Sequence, residues 1–180
     1  MPEPEQPVVV FISSAQHEFE RFRQQVRSVI NGERWSTSKL HVMRARLIEN
    51  QRGPVIPDEI RRGLDASSIY LGVFGGQLRD WPVAEYRYAR ARGLPQLIYK
   101  FQHRSRPGRP RRQRSGGRIS GVDRFLREQV QAYGVRVRGP YRNLDDLLED
   151  MLEDLATLIT RMANENAELR KTLYTGMPGA

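Results

Sequence analysis

Three short stretches of the chain are built almost wholly from β-branched, aromatic and other apolar residues: Val8-Val9-Val10-Phe11-Ile12-Ser13, Ile69-Tyr70-Leu71-Gly72-Val73-Phe74 and Gln96-Leu97-Ile98-Tyr99-Lys100-Phe101. A strand with one wet face alternates apolar and polar residues. An unbroken apolar run needs cover on both faces, as in a parallel sheet flanked by helices. The segments between these runs carry the helical period instead. Phe19, Phe22, Val26, Val29 and Ile30 recur at helical spacing until Asn31-Gly32 stops them, and Pro57-Asp58-Glu59 opens a helix that turns Ile60 and Leu64 inward. Trp81-Pro82 opens another, with Ala84, Tyr88 and Ala91 on one face, closed by Gly93-Leu94-Pro95.

Weaker signals complete the pattern. Leu40 to Met43 is a short second strand, Val122 to Ala132 a helix, Gly134 to Val137 a short edge strand, and Asn143 begins a long helix. Alternating strands and helices require right-handed crossovers, so the expected fold is α/β: a doubly wound, five-stranded parallel sheet in the flavodoxin-like order 2-1-3-4-5 with a long C-terminal helix. The expected division is an N-terminal arm over 1–7, one domain over 8–162 with a mobile Arg-rich loop at 102–121, and a projecting helix end and tail over 163–180. With 180 residues, 38% of them apolar, there is room for one core and not for two.

Composition excludes several classes. There is no cysteine, and His17, His41 and His103 are too far apart for a local ligand motif, so no metal is expected. No apolar run approaches the roughly 20 residues that span a bilayer, and the acidic start lacks a basic signal region, so no membrane partner and a cytoplasmic location are expected. The net charge of +9 is concentrated: Arg104, Arg106, Arg109, Arg111, Arg112, Arg114 and Arg118 account for seven positive charges in a stretch without acids. That loop suits phosphate contacts, but it has no interleaved aromatics to stack on bases. Asp145, Asp146, Glu149, Asp150, Glu153 and Asp154 offer it an acidic counterpart within the chain.

Ligands on such sheets lie beyond the carboxyl ends of the strands. Ser13 and Ser14 fall there, where a hydroxyl binds phosphate or ribose or simply caps the next helix. Gly75 and Gly76 end the third strand, where they allow close approach of a ligand or make a plain turn. Glu85, in the first turn of the following helix, is placed to stabilise an oxocarbenium-like centre or attack it, or else to sit favourably near a helix N-terminus. Asp80, Trp81 and Tyr86 flank it, and an aromatic there stacks on a base or packs in the core.

The string Val10-Phe11-Ile12-Ser13-Ser14, followed by Glu20-Arg21, Ile69-Tyr70-Leu71-Gly72-Val73-Phe74-Gly75, Ala84-Glu85-Tyr86, Ala89 and Gly93-Leu94-Pro95, resembles the family "domain of unknown function 4062" over residues 8 to 101. That family is related to TIR domains and to nucleoside 2-deoxyribosyltransferases. The resemblance implies a TIR-like fold and extends to Glu85 the role of the glutamate that serves N-glycosidic cleavage in those enzymes. Two acids usual in the family are replaced, by Ser67-Ser68 before the third strand and by Arg44 after Met43.

Three functional expectations follow. The first is a TIR-like nucleotide-binding domain that cleaves the N-glycosidic bond of NAD or a related nucleotide as a hydrolase in a signalling or defence setting, with no cofactor required. The second is a non-catalytic module that self-associates as a homo-oligomer through the C-terminal helix, whose Leu144, Leu148, Met151, Leu155, Leu158 and Met162 form a heptad-like stripe. The third is nucleic-acid binding through the arginine loop.

Overall fold

The computed structural model describes residues 8–31, 43–46, 57–102 and 120–175. The strands are β1 (Val8–Ser14), β2 (Met43–Arg46), β3 (Ile69–Phe74), β4 (Gln96–Phe101) and β5 (Val137–Tyr141). The helices are α1 (Gln16–Asn31), α2 (Asp58–Asp65), α3 (Asp80–Ala91), α4 (Gly121–Tyr133) and α5 (Leu144–Thr175). β2 pairs with β1, β1 with β3, β3 with β4 and β4 with β5, every pair parallel. The 1–7 arm and Arg104, Arg106, Arg109, Arg111, Arg112, Arg114 and Arg118 lie outside the described residues.

The continuous apolar strands are explained by a core on each side of the sheet. Val10 and Ile12 of β1, Leu71 and Val73 of β3, and Tyr99 and Phe101 of β4 face Phe19, Phe22, Val26 and Ile30 of α1 and Leu147, Met151, Leu155, Leu158 and Ile159 of α5. On the other face Phe11, Tyr70, Phe74 and Ile98 meet Ile60 and Leu64 of α2, Val83, Tyr86 and Ala89 of α3, and Val122, Phe125 and Leu126 of α4. β3 is buried at all six positions because it has a neighbour on each edge and helices on both faces. Among the described residues no helix is long and apolar enough to cross a membrane.

Three local expectations are corrected. β2 begins at Met43, where the sequence pattern places its end; residues 40–42 lie outside the described residues. β5 spans Val137–Tyr141 and not 134–137, because Gly134 is consumed as the left-handed cap of α4 (φ 64°), its N–H bonded to the Val130 carbonyl. The buried face of α3 is Pro82, Val83, Tyr86 and Ala89; Ala84 and Tyr88 are half-buried at its flank and Ala91 is exposed. The large Tyr86 ring sets the rotation of the helix, since turning it outward would forfeit more apolar burial than three small or amphipathic side chains return.

Ser67 and Ser68, before β3, are occupied structurally. Ser67 Oγ donates to the Gly63 carbonyl (2.7 Å), and Ser68 exchanges bonds with Val9, its N–H reaching the Val9 carbonyl at 2.8 Å and its Oγ accepting the Val9 N–H at 3.3 Å. Each extends order at the start of β3.

At the other side of the sheet a polar network fastens α5 to the last two strands. Tyr99 Oη donates to Asp154 (2.8 Å), Arg138 bridges Asp154 (2.8 Å) and Asp150 (3.0 Å), and Tyr141 Oη donates to Asp150. Burial of the Tyr99 ring and its bond to Asp154 hold the phenol far above its usual range, so it remains a donor. Asp154→Ala removes the acceptor of Tyr99 and one of two partners of Arg138. It should cost about 1–3 kcal/mol in urea unfolding with an unchanged m value, and a midpoint equal to wild type would show the network to be idle.

Candidate functional site

Ser13 is the penultimate residue of β1, and its Cα partner on β3 is Gly72. Side chains alternate along a strand, so Ser13 shares the face of Phe11, under α3, whereas Ser14 shares the face of Val10 and Ile12, under α1 and α5. The two serines therefore do not converge. Ser13 Oγ donates to Glu85 Oε2 from the α3 side. The Ser14 hydroxyl is buried on the opposite face without a hydrogen-bond partner among the described residues.

α3 begins at Asp80, one residue earlier than Trp81-Pro82 indicates, so Glu85 stands in its second turn and not its first. The field of a helix terminus fades within one turn, which removes the dipole as the reason for an acid here. What surrounds Glu85 is instead specific. Its side chain is half-buried, and burial pushes its pKa up to about 7 against the opposing pull of the Ser13 hydroxyl and of Arg23, a buried arginine on α1.

Tyr70 completes the surroundings. Its side chain is fully buried, its Oη lies 3.3 Å from the Pro82 carbonyl, and it also interacts with the Ser13 hydroxyl. Burial and then the charge of Glu85 drive its pKa well above the ordinary phenol value, so the group stays neutral. The ring fits because residue 72 is glycine: a Cβ there would lie 2.9 Å from Tyr70 Cε1 and 3.2 Å from its Oη. A glycine inside a fully buried strand is a signal of such close approach. Nothing in a single sequence marks Arg23 or Tyr70 as belonging to the rim, since both read as parts of ordinary amphipathic and buried elements.

The other expected residues are dispersed. Tyr86 is 1% exposed and packs against Phe74 (ring centroids 6.4 Å), Tyr70 (6.2 Å) and Phe125 (5.5 Å), its hydroxyl without a hydrogen-bond partner among the described residues. Trp81 is half-buried against the same core cluster, and Asp80 is exposed at the start of α3. Gly75 is buried and Gly76 exposed in the β3 to α3 connection. The structure thus brings together Ser13 and Glu85, adds Tyr70, Gly72 and Arg23, and leaves Ser14 and Tyr86 on core faces.

A carboxyl group that titrates near neutrality and is held by a neutral hydroxyl can exchange protons or stabilise positive charge at physiological pH.

The chain belongs to the family described as Domain of unknown function (DUF4062), whose model matches residues 9–156. The match takes in β1, β3, α3 and the first part of α5, and so includes Ser13, Gly72 and Glu85. No curated protein matches the chain.

The raised pKa of Glu85 has a stability consequence of definite sign. A folded-state value near 7, above the unfolded value of 4.5, means that the folded chain holds the extra proton between those pH values. Its contribution is present in full below about 4.5 and lost as pH rises through about 7. Glu85→Gln keeps an acceptor for Ser13 and removes the titration. It should be more stable than wild type by on the order of 1–3 kcal/mol at pH 8 and nearly equal at pH 4.5; parallel stability curves for the two proteins would contradict the burial of the carboxyl.

Proposed function

We propose that this member of the DUF4062 family binds a nucleotide at the rim formed by Ser13 and Glu85 and cleaves its N-glycosidic bond, with NAD or a related nucleotide as substrate. The reading places the sheet, in the order 2-1-3-4-5, with flavodoxin-like and TIR-like folds. The observation that carries it is the bond from Ser13 Oγ to a half-buried Glu85 whose pKa lies near 7. In cleavage the C1′–N bond breaks and its electron pair leaves with the base, so positive charge grows on the ribose. An ionised carboxylate beside C1′ lowers the energy of that charge. Water then adds to C1′, its oxygen forming the new bond and its proton passing to solvent. A pyridinium base such as nicotinamide departs neutral and needs no proton donor, which suits a rim whose hydroxyls are not acids.

The test is release of free base from NAD and from nucleosides by the full chain. Base release should rise as pH passes about 7 and level off above it, because the ionised form of Glu85 is required, and Glu85→Gln should lower it by roughly 10²-fold or more, the range of a positioned charged group. No base release by wild type, or release unaffected in Glu85→Gln, overturns the reading.

A second reading is supported by α5. Its buried positions end with Leu158 and Ile159, yet the helix continues to Thr175, about 24 Å further at 1.5 Å per residue, and carries Leu169 with 62% of its surface exposed. We propose that this extension pairs with its counterpart in a second copy. Light scattering should give a concentration-dependent dimer or larger species for the full chain and a monomer for a chain ending at Met162; monomers in both exclude it.

A further inference from the structure

A cleft lies away from the Ser13 and Glu85 rim, at the opposite end of the sheet. There β4 begins at Gln96, β5 has not yet started, and α5 is leaving the core at Leu158. Where strands start late and a helix departs, the layers cannot close, and a cavity of about 270 Å³ remains. That is near the lower end of small-ligand sites.

Its chemistry is uneven in an informative way. Leu97 and Leu158 give it an apolar wall. Arg138 and Asp154 also line it, but Arg138 is already engaged by Asp154 at 2.8 Å and by Asp150 at 3.0 Å. Arg136 and Arg161 remain. Arg136 is exposed and has no ion pair among the described residues. Among the described residues Arg161 pairs with Glu165 alone, one helical turn away at 3.7 Å with both side chains about two-thirds exposed, a contact that water and salt weaken readily. The cleft therefore presents two available guanidinium groups beside an apolar wall. A concave surface concentrates such a field, and the guanidinium fork matches carboxylate and phosphate oxygens.

We infer that this cleft is a ligand site separate from the Ser13 and Glu85 rim, and that it takes a small organic anion: one phosphate or carboxylate held by Arg136 and Arg161, on a ring-sized apolar body lying against Leu97 and Leu158. The inference stands whether or not the rim cleaves nucleotides.

The experiment is an amide-resolved NMR titration of the full chain with phenyl phosphate, benzoate, inorganic phosphate and benzyl alcohol. Phenyl phosphate or benzoate should give saturable shifts at Gln96 to Tyr99 and at Thr157 to Arg161, with Ser13 and Glu85 unmoved. Inorganic phosphate, lacking the body, and benzyl alcohol, lacking the charge, should each bind at least tenfold more weakly. In Arg136→Ser/Arg161→Ser, two surface changes whose folding is checked by the same spectra, affinity should fall tenfold or more. The stronger of phenyl phosphate and benzoate identifies the head group. Absence of saturable shifts with both, shifts confined to other regions, or full affinity in the double variant overturns the assignment.

Discussion

Ser13 and Glu85 meet because β1 lies beside β3 with Ser13 opposite Gly72, and because α3, following β3, packs back over the face of the sheet that carries Phe11 and Tyr70. A shift of one residue in that pairing would send Ser13 to the other face and leave Ser14 in its place. Apolar burial guards against the slip. Phe11 and Tyr70 stack with centroids 6.2 Å apart on one face, while Val10, Ile12, Leu71 and Val73 fill the other, and exchanging the two sets would disturb both cores at once. The glycine at 72 is the local condition, since any side chain there would meet the Tyr70 ring.

That arrangement ties stability to chemistry. A half-buried carboxyl is tolerated because one hydroxyl donates to it and a buried arginine on α1 lies close enough to favour its charge, yet these do not restore the pKa of a solvated glutamate. A carboxyl whose pKa is raised in this manner destabilises the fold at alkaline pH. The polar network of Tyr99, Arg138, Asp150, Asp154 and Tyr141 is the contrasting case: Arg138 and a tyrosine hydroxyl reach each of the two carboxylates, and the network joins β4 and β5 to α5.

Much of this could be read from residues alone. Strands β1, β3 and β4 announce themselves because a strand covered on both faces has no polar alternation to confuse with anything else. Edge strands do not: β2 is Met-Arg-Ala-Arg, and β5 includes Gly139-Pro140, so neither has an apolar run to fix its ends. Ser13 and Glu85 were placed by position relative to strand and helix ends. Strict alternation along β1 already separates Ser14 from Ser13, a signal present in the sequence. Tyr86 illustrates a harder limit, because an aromatic next to a rim acid suits stacking on a base and core packing equally until helix rotation is known. Tyr70 and Arg23 join the rim through tertiary packing that local pattern does not encode.

The most direct test of the account is the ionisation of Glu85 itself, followed by carbon NMR of its side-chain carboxyl in the full chain and in Ser13→Ala, with Glu85→Gln to assign the signal. The account predicts a midpoint near 7 in the wild-type chain and a higher one in Ser13→Ala, because loss of the hydroxyl removes a group that favours the charged form. A midpoint near 4.5, or one indifferent to Ser13, would mean that the carboxyl faces water and that the rim holds no tuned acid.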